Sequence, residues 1–353
     1  MDKRSWIPYS ICEGGGLGGL RWLFVLLAAM SPTPAHILFA IGCAGITQMV
    51  LGGASLLWAR TLPKFSGWWH LLAPMALGLG GLAANSFGVA AFLTVSRADM
   101  AASTFIATVP VILLTAAHGY FRCAEPWALR QWTAVLIVVC AALLMMPIAV
   151  FSTWSHGVPI WALYSFLTAV FAAANECISI EMAQWERRNA KPKLDPGTLQ
   201  ITGGLTTGIA GFLGFCLFAR AQFGAPSAEI ISVQKLWVLG ASVGCCNFFW
   251  WRCRLRSYQL KAPVSIRRFP TIGISLLTAT VIGHFVFNEM VPGRKLLSIV
   301  LYAPAFFFAT NDSEKWLMPV WKYLYWVHDG LRGPFHREHG AQPSEITIVA
   351  KAS

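Results

Sequence analysis

Long apolar runs make up most of this chain, and short polar breaks separate them. Runs of about 20 residues, enough to cross a bilayer core of about 30 Å, recur from near the start to about residue 310. They predict ten helices, at roughly 14–31, 35–59, 69–95, 98–121, 128–150, 158–183, 198–220, 235–257, 262–287 and 294–310. The breaks carry loop chemistry: "SPTP" at 31–34, "RTLPKFSG" at 60–67, "STWSHG" at 152–157 and "GAPS" at 224–227. The expected fold is an all-α integral membrane protein with about ten transmembrane helices in two inverted five-helix repeats. The expected organisation is an N-terminus over 1–13, a first repeat over 14–150, a second over 151–310 and a tail over 311–353.

Composition agrees. Charged residues are 12% of the chain and hydrophobic ones 56%, against about 25% charged in an average soluble domain. No cleavable leader is evident, since "SPTPA" is a poor cleavage site. The net charge of +12 would suggest a nucleic-acid partner in a soluble protein. Its distribution argues otherwise. With the N-terminus inside, most of the 27 Lys and Arg fall in cytoplasmic segments. Only Arg97, Arg220, Lys235, Arg294 and Lys295 fall in opposite loops, and Arg21 lies within the first helix. That bias predicts a multi-pass protein of a plasma (inner) membrane with both termini cytoplasmic. The partners expected are the bilayer and a small-molecule substrate, with no nucleic acid.

The two halves resemble each other weakly. Residues 98–132 and 262–296 align so that Ala98 meets Ala262, Gly119 meets Gly283, Glu125 meets Glu289 and Arg130 meets Arg294. Five helices per half is an odd number, so two such halves are inverted in the membrane, a recurring transporter design.

Certain stretches resemble the drug/metabolite transporter superfamily, and within it the EamA-type ten-helix carriers. They are "STFIATVPVILLTAAHGYF" with "AEPWALRQWTAVLIVVCAALLMM", the matching "FNEMVPGRKLLSIVLYAPAFFF", and "MSPTPAHILFAIGCAGITQMVLGGASLLWAR". The resemblance spans about 15–310 and rests on Pro110-Val111, Glu125 and Glu289. The second half has Ile274-Ser275 where the Pro-Val step would align. The resemblance implies a secondary transporter that moves a small organic metabolite by alternating access. A membrane-embedded lipid-modifying enzyme and a non-transporting sensor or scaffold are the alternatives.

Polar residues within apolar runs are the functional candidates. Gln48, Asn85 and Asn247 sit at mid-helix depth, where they either line a substrate path or bond helix to helix. His118 and His284 sit near opposite ends of the paired helices, as proton-coupling groups or as interfacial hydrogen-bonding ones. Arg21, Arg267 and Arg268 complete the path candidates. The "SIRRFP" pair poses a choice. Either both side chains snorkel to the interface, or at least one enters the cavity to hold an anionic substrate, as a guanidinium fork suits carboxylate or phosphate. Glu176 and Glu181, near a helix end, read as snorkelling groups or as partners of Arg187 or Arg188, and Glu125 and Glu289 as markers of helix ends and turns, with ion coupling as the alternative.

The Gly pairs 204/208 and 240/244 read as packing seams, and "GGGLGGL" at 14–20 as a flexible or closely packed helix start. The nine Cys read as packing residues, with no disulfide framework. No catalytic motif, metal set or cofactor motif is present, so a non-enzyme is expected. In the tail, Trp316, Trp321, Tyr323, Tyr325 and Trp326 lie among Lys315, Lys322 and Arg332, as in an interfacial helix or, alternatively, a partner-binding one, followed by a disordered end.

Overall fold

A computed structural model describes residues 5–30, 32–95, 100–125, 129–145, 158–223, 234–287, 291 and 293–309. Glu289, the breaks at 152–157 and 224–227 and the tail with its interfacial helix lie outside the described residues. Within them the chain is helical, with no strand: α1 Ile7–Ala29, α2 Pro34–Trp58, α3 Trp69–Thr94, α4 Met100–Cys123, α5 Leu129–Met145, α6 Ile160–Arg188, α7 Pro196–Phe223, α8 Gln234–Gln259, α9 Val264–Phe287 and α10 Gly293–Ala309. Helices α1, α2, α3, α4, α6 and α7 contain spans long and apolar enough to cross a membrane, so this is a multi-pass membrane protein.

Local signals set the helix ends. Pro34 occupies the first turn of α2, where a missing N–H costs nothing. His36 reaches back so that its Nδ1 lies 2.7 Å from Thr33 Oγ1 and 3.3 Å from Thr33 N. Helices α2, α4, α6 and α8 are each followed by a left-handed residue that is not glycine: Arg60, Ala124, Ala190 and Lys261. After α6 the turn closes through Lys191 N to Glu186 O at 2.9 Å. An L side chain in that backbone region costs roughly 1–2 kcal/mol. Ala190→Gly is therefore expected to raise stability by about 1 kcal/mol, read by thermal unfolding.

Helix α1 begins at Ile7, well before the predicted residue 14, because Pro8 starts it. Glu13 is thus a fully buried helical residue. The glycines around it serve close packing. A Cβ on Gly14 would fall 2.9 Å from Ile274 Cβ, and one on Gly18 would fall 2.7 Å from Ser275 O, so α1 and α9 touch almost backbone to backbone. Helices α2 and α7 meet in the same way through Gly45, Gly204 and Gly208, and Gly240 and Gly244 of α8 pack on α2.

The packed pairs follow a rule. Helix α1 packs on α8 and α9, α6 packs on α3 and α4, α2 on α8 and α3 on α7. Exchanging each helix for the one five places along turns every one of these pairs into another of them. The α2–α7 and α5–α10 pairs map onto themselves.

Candidate functional site

Three such exchange pairs surround a cavity of about 120 Å³: α1 with α6, α3 with α8 and α4 with α9. Its apolar wall includes Leu17, Leu20, Phe24, Val111 and Ile272. Asn85, Ser103, Thr108, Ser165, Thr168 and Ser275 add polar groups. Arg21, Arg254 and Arg268 also line it. Arg21 Nη2 donates to Thr108 Oγ1 at 3.0 Å, which joins α1 to α4. The Ser103 and Ser165 hydroxyls lie 2.8 Å apart and join α4 to α6.

An ionic cluster closes one end. Glu13 and Glu176, both fully buried, face the buried guanidiniums of Arg254, Arg267 and Arg268. Arg267 donates to both carboxylates and to Ser257. Arg254 Nε lies 3.1 Å from Glu13 Oε1 and 2.9 Å from Glu176 Oε2. Arg268 Nη2 donates to Glu176 and its Nη1 lies 3.9 Å from Glu13. Tyr258 donates to Glu176, and Trp250 Nε1 donates to Glu13 at 2.8 Å. The Arg254 guanidinium stacks over Trp250, 4.4 Å from the ring centroid. Buried charges persist only when paired and hydrogen-bonded in this way.

The cluster occupies one side of the cavity on every helix that forms it. Toward the end where α1 and α9 start and α6 and α8 finish, Glu13 and Glu176 lie one turn beyond the cavity residues Leu17 and Ala172, while Arg254 and Arg268 belong to both cavity and cluster. On α1 the order is Glu13, Leu17, Arg21, Phe24, and on α6 it is Ser165, Thr168, Ala172, Glu176.

The sequence-predicted candidates divide. Asn85, Arg21 and Arg268 meet at the cavity. Arg267 lies behind it, wholly engaged in the cluster. Neither Arg267 nor Arg268 snorkels, because each finds carboxylates inside the bundle. Gln48 is structural in its contacts. Its Nε2 donates to Gln200 Oε1 at 2.6 Å, and Gln200 Nε2 donates to Phe248 O at 2.9 Å, which ties α2, α7 and α8 together. Asn247 is buried on α8 but does not line the cavity.

His118 Nε2 lies 3.3 Å from Glu181 Oε1, beside Arg122, and His284 packs edge-on to Phe285 near the end of α9. Neither lines the cavity. Glu125 Oε1 accepts from Val264 N at 2.7 Å, capping the start of α9. Glu176 does not pair with Arg187 or Arg188 as expected. It lies about 18 Å along the helix from Arg188, too deep to reach it. Sequence reasoning missed Glu13, Arg254, Tyr258 and the partners of Glu176. The available signal was charge balance, since acidic and basic residues in several apolar runs each require a buried partner.

A solved structure described only as the crystal structure of a protein shares this fold. The match has a TM-score of 0.59 at 15% identity and covers 87% of this chain and 98% of that one. It is among 28 matching chains of known structure. No family model and no curated protein matches the chain.

Proposed function

We propose that the protein is a secondary carrier that moves a small organic metabolite by alternating access. In this reading ten spans form two inverted five-helix repeats, as in the EamA-type carriers the sequence resembles. The observation that carries the reading is the cavity's setting. It lies among three exchange pairs of helices and is closed at one end by side chains from four of them. Carriers place their site at the interface of two repeats and rock one against the other. An ionic seam suits that motion, because its pairs can separate without unfolding a helix. The Lys and Arg bias supports a seam on the cytoplasmic side of a plasma (inner) membrane, with both termini cytoplasmic.

The test is counterflow. Sealed vesicles carrying the purified protein and preloaded with unlabelled solute should accumulate the labelled solute transiently and saturably, and empty vesicles should not. A protein that moves no member of a broad metabolite panel but turns over a vesicle lipid would replace the carrier with a membrane-embedded enzyme.

A further inference from the structure

Among the described residues, the cavity's charge does not balance. Three guanidiniums of the cluster face two carboxylates, which leaves one positive charge over. Arg21 adds a second, and its side-chain hydrogen bond among the described residues goes to the neutral Thr108. Both Glu13 and Glu176 are already engaged by several donors.

The unmet hydrogen bonds point the same way. Among the described residues, Arg21 Nη1, Arg254 Nη2 and Arg268 Nε are buried without an acceptor, as is the Ser275 hydroxyl. All four residues line the one cavity. A water molecule could accept from such donors, but it would not neutralise the charge. Buried charge without a counter-charge is among the most costly arrangements in a protein, so the excess calls for an anion.

We propose that the cavity binds a small organic oxyanion, a carboxylate or phosphate ester, between Arg21 of α1, Arg254 of α8 and Arg268 of α9. This names the substrate class of the carrier proposed above and rests on that reading. A guanidinium's fixed fork of donors matches an oxyanion's acceptor geometry. The volume sets the size. An apolar cavity of about 150 Å³ holds benzene, so about 120 Å³ admits a body of roughly six heavy atoms. Asn85, Ser103, Ser165 and Ser275 favour a body that carries hydroxyls.

The probes are lactate and methyl phosphate, with lactamide and methanol as neutral counterparts. Binding is read by thermal shift and equilibrium titration on the full chain in nanodiscs. At least one anion should raise the melting temperature, roughly with the logarithm of its concentration above Kd, while its neutral counterpart does not. Arg21→Gln should weaken that anion's Kd by about 10- to 100-fold, the range for a lost charge-assisted hydrogen bond. Arg21→Lys, which keeps the charge and loses the fork, should weaken it less.

Arg21 is chosen because it stands outside the ionic cluster, so its replacement leaves the seam intact. The inference is overturned if no anion binds, if a neutral counterpart binds as tightly, or if Arg21→Gln leaves the anion's Kd within about twofold. Flux in sealed vesicles separates the two proposals. An anion that binds through Arg21 and is never carried removes the carrier and leaves the site. Saturable flux of the neutral solutes, with no anion bound, removes the site and leaves the carrier.

Discussion

Replacing Glu176 with Ala is expected to lower stability by about 3–5 kcal/mol, the usual cost of breaking a buried ion pair from one side. The reason is concrete. The Glu176 carboxylate accepts from Arg267, Arg268 and Tyr258 and also pairs with Arg254. Without it, three guanidiniums inside the bundle share the single carboxylate of Glu13. Glu176→Gln keeps the volume and some acceptor capacity and should fall between Ala and the parent.

Glu181 on the same helix is the control. Its partner Arg122 is 68% exposed, so Glu181→Ala should cost no more than about 1 kcal/mol. Thermal unfolding in one membrane mimetic measures all three. A Glu176→Ala protein as stable as the parent would mean that the cluster is not charged as described.

The second large effect is steric. Gly204→Leu should destabilise by about 1–3 kcal/mol, the range for overpacking, or more. A Cβ there would lie 2.6 Å from Met49 N and 2.7 Å from Gly45 O. Both are backbone atoms of α2, so no flexible side chain can move aside. The whole α2–α7 contact would have to open. Gly53, also on α2, has open space around its Cα. Gly53→Ala should be neutral or stabilising by up to about 1 kcal/mol, since Ala is the better helix former. Equal losses at both positions would show that glycine flexibility, not close packing, is what matters in these helices.

The helices were legible because membrane spans must be long, apolar and separated by polar breaks. Most predicted ranges agree with the structure to within a few residues. The small-residue seams at 204/208 and 240/244 were legible for a similar reason, since their spacing already places both members on one helix face. The start of α1 was not legible. "CEGGGLGG" has the polarity and glycine content of a chain terminus, and only the close fit of Gly14 and Gly18 against α9 shows why it is helical.

The cluster was hidden for a different reason. Glu13, Glu176, Arg254 and Arg267 come from four helices, and nothing local to any of them names its partner. Local reasoning offered Glu176 the nearby Arg187 and Arg188, and offered Arg267 and Arg268 the interface. The packing of α1 on α8 and α9 brought other partners within reach. Arg254 stands between Arg252 and Arg256 in the sequence, and nothing local distinguishes it from them.

The ionic seam closes one end of the cavity and, in the proposed transport cycle, opens. The most direct test is the distance across that end. Spin labels at Ile11, 43% exposed on α1, and at Lys261, exposed in the α8–α9 turn, flank the seam on the side of Glu13 and Arg267. Two distance populations are expected in lipid, the longer by roughly 5 Å or more. Glu13→Gln, which removes one of the two carboxylates, should move weight to the longer one. A single short distance, the same in the parent and in Glu13→Gln, would contradict that opening.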